Sequence, residues 1–218
     1  MLDATNLKPL TATQLIEEQR NGALVLDIRD PEKFASFHLR GTMQIGLSGP
    51  FASWAAMLIQ PPSKLLLIAE DVSSVHEAIA RLARVGIENV IGYSLADKTE
   101  WQTKGLDIAS IPIKRCAAVQ RALRSDPSIQ LIDVRSHAEW SKGHLPCALS
   151  LSLLDLDSSM KSVDRSKPSL VYCHEGFRAT TAASILLREN TSEVDIFIDG
   201  VEGWIAAGLP LEIPDTST

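Results

Sequence analysis

Short strand-like segments, each built on consecutive apolar residues and flanked by polar or turn-forming ones, recur along this chain. In the first half they span Ala23 to Asp27, Lys64 to Ala69 and Asn89 to Gly92. In the second half they span Ile129 to Val134, Leu170 to Tyr172 and Asp195 to Ile198. Runs that are apolar at successive rather than alternate positions predict strands buried on both faces. Between them lie segments with helical spacing: Thr11 to Gln19, Ser73 to Val85, Cys116 to Ser125 and Arg178 to Arg188. The first opens with Thr11 and Gln14 at capping-box spacing. Strands alternating with amphipathic helices predict an α/β protein whose sheets are mostly parallel, with helices on both faces.

The two halves carry the same pattern in the same order. Leu24-Val25-Leu26-Asp27-Ile28-Arg29 matches Gln130-Leu131-Ile132-Asp133-Val134-Arg135. At that spacing Phe34 matches Trp140, and Phe37-His38-Leu39 matches Gly143-His144-Leu145. Leu65 to Ala69 then matches Ser169 to Cys173 at a slightly shorter spacing, as one loop deletion would produce. A stretch with Gly105, Asp107 and Pro112, from Lys104 to Pro112, reads as the linker. Two domains follow, residues 1–107 and 108–218. Ala69 stands in the first where Cys173 stands in the second.

Composition narrows the classes. The chain has 218 residues, of which 45% are hydrophobic, enough to bury a core in each half. No apolar run approaches the ~20 residues of a membrane helix. The first residues, Met1-Leu2-Asp3-Ala4-Thr5, lack the basic-then-apolar order of a secretory signal. A net charge of −6 without a basic stripe argues against a nucleic-acid partner. Three cysteines, Cys116, Cys147 and Cys173, form no close pairs, which predicts reduced thiols and a cytoplasmic location.

The candidate chemistry lies in Cys173-His174-Glu175-Gly176-Phe177-Arg178. This stretch joins a predicted buried strand to a predicted helix. Ligand sites of parallel sheets form at the carboxyl ends of strands. A helix N-terminus offers convergent N–H groups and a favourable dipole for negative charge, and such a setting favours the nucleophilic thiolate. Arg178 adds a cation that can fork onto an anionic sulfur compound. Glu175 lowers the positive potential of the loop, which disfavours a purely anionic ligand against one of mixed charge. His174 is expected to shape the pocket. Cys116, Cys147, Trp101 and Trp204 read as packing residues. Asp133 with Arg135, and His144, recur as Asp27 with Arg29, and His38, in the half without a cysteine, and so read as parts of the fold.

Asp133-Val134-Arg135, Gly143-His144-Leu145-Pro146, the Cys173-to-Arg178 loop and Gly200-Val201-Glu202-Gly203-Trp204 together resemble the rhodanese family, in tandem. The resemblance implies two rhodanese-like folds and a sulfurtransferase. Cys173 would accept sulfane sulfur from thiosulfate or a low-molecular-weight persulfide and pass it to a thiol or cyanide. His174, Glu175, Gly176, Phe177 and Arg178 would bind the donor, with no metal and no organic cofactor. The first half, with Ala69 and the acidic Glu70 and Asp71, would be structural.

Leu47 to Trp54 and Arg81 to Gly86 further resemble the rhodanese region of fusion proteins in which a metallo-β-lactamase-like persulfide dioxygenase precedes tandem rhodanese domains. No His-x-His-x-Asp-His cluster occurs here, so the chain reads as a free-standing relative or a fragment. A second reading is therefore a non-catalytic module that delivers substrate to such a dioxygenase. A third is a phosphatase or arsenate reductase on the same fold. Four residues separate Cys173 from Arg178, as in sulfur-transferring rhodaneses, whereas the phosphatases and reductases that share the fold carry five.

Overall fold

A computed structural model describes residues 7–214. The chain divides between Ser110 and Ile111 into two compact units.

The first unit contains α1 (Ala12–Arg20), β1 (Leu24–Asp27), α2 (Pro31–Ser36), β2 (His38–Leu39), β3 (Met43–Gln44) and α3 (Phe51–Leu58). It continues with β4 (Leu65–Ala69), α4 (Val72–Ala83), β5 (Val90–Leu95), α5 (Lys98–Thr103) and β6 (Ile108–Ala109). The second contains β7 (Ile113–Lys114), α6 (Cys116–Ser125), β8 (Gln130–Asp133), α7 (His137–Trp140), β9 (Leu149–Ser150) and α8 (Leu156–Ser159). After them come β10 (Ser169–Tyr172), α9 (Phe177–Arg188), β11 (Val194–Phe197) and α10 (Gly200–Ala206).

Both units have one parallel sheet with the same strand order. The first runs β3-β1-β4-β5, and Pro9 bridges to Tyr93 on the outer side of β5. The second runs β9-β8-β10-β11-β7, with β7 in the place that Pro9 holds in the first. The repeat in the sequence is thus a repeat of topology, and the chain is two α/β folds of one strand order in succession. Each central strand is apolar on both faces because helices cover both. On one side of the first sheet α1 and α5 bring Leu15 and Trp101 onto Val25, Leu66 and Ile68. On the other, α4 packs against β4, β5 and α3. In the second unit α6 and α10 bring Val119, Val201 and Trp204 onto Leu131, Leu170, Tyr172 and Phe197. There α9 covers the opposite face, against β10 and β11.

The predicted linker contains structure. Ile108–Ala109 pairs antiparallel with His38–Leu39, and Arg40 binds Asp107 at 2.8 Å, which holds this stretch in the first unit. The division therefore falls beyond the expected break at residue 107.

One buried device recurs in both units. Arg29 Nε and Nη2 donate to Asp27 at 2.9 and 2.7 Å, and Nη2 also donates to the Phe37 carbonyl at 2.8 Å. Arg135 repeats this on Asp133 at 3.0 and 2.6 Å and on the Gly143 carbonyl at 2.8 Å. A bidentate pair with its spare donor satisfied is the form in which buried charges are tolerated. It ties the end of β1 or β8 to the segment that returns toward the sheet.

Candidate active site

Cys173 directly follows β10 and is buried, with 2% of its surface exposed. The apolar run ends there because the chain must turn into α9, a 12-residue helix. Its N-cap is Gly176, at φ 87, with no side-chain hydrogen bond to the helix. A left-handed backbone angle favours glycine. Space requires glycine as well, since a Cβ there would lie 2.4 Å from Ile198 Cδ1 and 2.9 Å from the Ile198 carbonyl oxygen. The Gly176 N–H donates to Cys173 Sγ at 3.1 Å. The sulfur therefore sits at the positive end of a helix whose first N–H groups are not consumed by a capping side chain.

The loop is braced from behind. Val201 N–H donates to the Cys173 carbonyl at 3.0 Å. Gly200, at φ 57, lies so close that a Cβ would be 2.3 Å from the His174 carbonyl oxygen and 2.4 Å from that of Cys173. Sequence reasoning quoted Gly200 only as part of a motif. Its role is to let α10 start directly against the backbone of the cysteine loop.

The remaining predicted residues separate by position. Phe177 begins α9 and is half-buried. His174 and Glu175 are exposed, and His174 Nε2 lies 3.0 Å from Glu202 Oε1. One ligand atom from each of His174, Glu175 and Glu202 falls within 4.8 Å of the others, so these exposed groups could hold a cation at the loop's outer edge.

Arg178 is not a free cation. Its Nη1 and Nη2 donate to Glu139 at 2.7 and 2.8 Å. Glu139 is in turn fixed by the capping box that starts α7: its Oε2 accepts from Ser136 N–H at 3.0 Å and Ser136 Oγ at 2.8 Å. The Arg178 hydrogen bonds, then those of Ser136, hold the Glu139 carboxyl down to about 2 against partial burial. Arg178 is held more firmly protonated, first by Glu139, with the charge of Cys173 adding. Sequence reasoning missed Glu139. The Ser136-x-x-Glu139 spacing marks the helix start, but nothing local points to an arginine 39 residues away.

The equivalent loop of the first unit is arranged differently. Ala69 ends β4, and the next helix is capped by Asp71, which accepts from Ser74 N–H at 2.8 Å and Ser73 Oγ at 2.6 Å. A carboxylate of the chain itself occupies the helix N-terminus that Gly176 leaves open. Glu70 pairs with Lys33.

A thiol at the end of a central parallel strand, turned onto an uncapped helix N-terminus, defines a cysteine-loop site in an α/β protein. Residues 117–207 match the rhodanese-like domain family. The chain is 35% identical over 78 residues to thiosulfate sulfurtransferase GlpE of Coxiella burnetii, an alignment that takes in 36% of this chain and 73% of that protein. It is 26% identical over 98 residues to a sulfurtransferase of Allochromatium vinosum, covering 45% of this chain and 92% of that one. Among solved structures, a thiosulfate sulfurtransferase from Pseudomonas aeruginosa aligns with 96% of this chain and 44% of its own, at 18% identity and a TM-score of 0.42. The chain thus spans less than half the length of that protein. This chain belongs to the rhodanese-like family, among relatives that are sulfurtransferases. Among the described residues no helix is long and apolar enough to cross a membrane.

Proposed function

We propose that the second unit transfers sulfane sulfur through a persulfide on Cys173. The observation that carries this reading is the hydrogen bond from Gly176 N–H to Cys173 Sγ at 3.1 Å, at the open N-terminus of α9. In the first step the Cys173 thiolate attacks the outer sulfur of thiosulfate or of a low-molecular-weight persulfide. A new S–S bond forms, the donor's S–S bond breaks, and its electron pair leaves with sulfite or with the donor's thiolate. The terminal sulfur now on Cys173 carries the negative charge, which the loop N–H groups and the helix end stabilise. In the second step an acceptor thiolate or cyanide attacks that sulfur and restores the Cys173 thiolate, a ping-pong sequence. Gly176 and Phe177 shape the loop, His174 and Glu175 line its outer edge, and Arg178, fixed by Glu139, binds the donor at the start of α9. The first unit, with Ala69 in place of the thiol and Asp71 filling the helix end, is a structural repeat.

The names of the relatives support thiosulfate as one donor, and the four-residue spacing between Cys173 and Arg178 supports sulfur over phosphate or arsenate. The test is intact-protein mass after exposure to thiosulfate and, separately, to glutathione persulfide. Wild type is expected to gain one sulfur atom, and Cys173→Ser is expected to gain none and to transfer none while keeping its fold. Undiminished transfer by Cys173→Ser, or no gain of mass in wild type with either donor, overturns the reading.

A further inference from the structure

The arginine of the cysteine loop and other charges of the second unit are paired with opposite charges. The guanidinium of Arg178 is held end-on by Glu139 through two hydrogen bonds, 2.7 and 2.8 Å long. Glu175 and Glu202 stand at the exposed outer edge, with His174 against Glu202. Two other arginines of the second unit are also matched, Arg135 by Asp133 and Arg115 by Asp199, each at 2.6 Å. Among the described residues, then, the cation expected to attract the donor carries its own counter-ion. Besides such paired cations, an incoming anion meets the backbone N–H groups at the start of α9, which no side chain caps. Those donors suit one developing charge on a terminal sulfur better than a compact dianion, which needs an uncompensated cation.

We propose that Glu139 is a positioning residue that sets the donor class: by orienting and neutralising Arg178, it turns the loop toward persulfides carried on a thiol and away from dianionic thiosulfate. This rests on the sulfur-transfer reading of Cys173 and adds to it the residue that selects the donor. Glu139 reaches the loop from α7, outside the stretch that carries the thiol. Its carboxylate is fixed by Ser136 as well as by Arg178, so its position is over-determined. It stays charged down to about 2, so the balance holds throughout the range in which a thiolate can react. The first unit shows that the scaffold does not demand this sign. There Lys33, at the matching place in α2, pairs with Glu70 in the loop, with the charges reversed.

Glu139→Gln separates the charge from the helix cap, because glutamine also serves at the third position of a capping box. Two readouts apply to wild type, Glu139→Gln and Glu139→Ala. The first is kcat/KM for thiosulfate and for glutathione persulfide, with KM and kcat resolved. The second is the rate at which neutral iodoacetamide alkylates Cys173 at mildly acidic pH, followed by mass, which needs no sulfur transfer. In Glu139→Gln the thiosulfate-to-persulfide ratio should rise on the order of tenfold, mainly through a lower KM for thiosulfate, as one unmasked charge at close range implies. Alkylation should quicken by a similar factor. Glu139→Ala should show the same shifts together with lower stability. An unchanged donor ratio in Glu139→Gln, or a ratio that moves toward the persulfide, overturns the proposal. Should wild type transfer sulfur from neither donor, the sulfur-transfer reading fails. The alkylation rate then still decides whether Glu139 masks Arg178, with an unchanged rate refuting it.

Discussion

Gly200 offers the most direct way to ask whether the backbone of the cysteine loop must be held where it is. A methyl group added there would stand 2.3 Å from the His174 carbonyl oxygen, 2.4 Å from that of Cys173 and 2.7 Å from the His174 carbonyl carbon. All three are backbone atoms, so no side-chain rotation relieves the overlap. Restoring the 3.0 Å that real Cβ atoms respect requires the loop and the start of α10 to part by about 0.7 Å. The Val201 N–H bond to the Cys173 carbonyl, 3.0 Å in the folded protein, lengthens with that movement. A misplacement on the order of 1 Å at the reacting centre costs about 10²-fold in rate. Gly200→Ala should therefore reduce kcat for sulfur transfer by about two orders of magnitude.

Gly208 supplies the control. It also has a left-handed backbone, at φ 70 against 57 for Gly200, but a Cβ there would meet nothing within 4 Å. Gly208→Ala therefore carries only the conformational cost of about 1–2 kcal/mol and should keep wild-type activity. The assay pairs urea denaturation with the rate at which thiosulfate loads sulfur onto Cys173, measured by mass well below the unfolding midpoint. Loading by folded Gly200→Ala within about threefold of wild type would refute the idea that loop position limits the chemistry, since a displacement of about 0.7 Å would then cost far less than the 10²-fold figure.

Two other outcomes follow from buried groups. The fully buried Tyr172 hydroxyl accepts a hydrogen bond from Leu145 N–H at 3.1 Å, so Tyr172→Phe leaves a buried donor unpaired and should cost about 1–3 kcal/mol in urea unfolding of the second unit. His38 is buried in the first unit and stacked on Phe34, and burial lowers its pKa from 6.5 to about 4. The unfolded chain thus takes up a proton that the folded chain refuses, so stability falls as pH drops from about 6.5 toward 4. Replacing His38 by glutamine should flatten the pH dependence of unfolding in that window, whatever it does to stability at neutral pH.

Much of the scaffold is legible in the sequence because its central strands are buried on both faces. Leu65 to Ala69 and Leu170 to Tyr172 are continuous apolar runs, and they form β4 and all but the first residue of β10, every residue of both strands being buried. Helix α6 has the predicted bounds, Cys116–Ser125, since its apolar spacing is regular throughout. The shorter elements carry too few residues for a period to show: β2, β3, β6, β7 and β9 have two residues each. Strand β5 runs on to Leu95, past the predicted end at Gly92. A glycine there resembles a stop, but its missing side chain makes room for Leu10, whose Cδ1 a Cβ would approach to 2.9 Å. At the site, the thiol, the loop and its glycine are local and could be read. Glu139 and the packing of Gly200 are contacts between distant segments, and no spacing along the chain encodes them.

Comparison of the two loops shows which part of the site is scaffold and which is chemistry. In both units a short helix follows the Asp-x-Arg device and places an aromatic ring on a histidine. Phe34 stacks on His38 at 4.2 Å, and Trp140 on His144 at 3.9 Å. Each histidine Nδ1 lies 3.1 Å from the carbonyl of its aromatic partner. From that shared platform one side chain reaches the loop after the central strand, Lys33 to Glu70 in one unit and Glu139 to Arg178 in the other. The cross-link is therefore a property of the fold, while its polarity follows the loop. A loop bearing Glu70 and Asp71 needs a cation from α2 and closes its own helix end with Asp71. The loop that leaves its helix end open has a glycine at the N-cap, and the arginine that follows is balanced from α7. Placing a cysteine at position 69 alone would not reproduce the arrangement around Cys173, because the helix end is already taken by the Asp71 carboxylate.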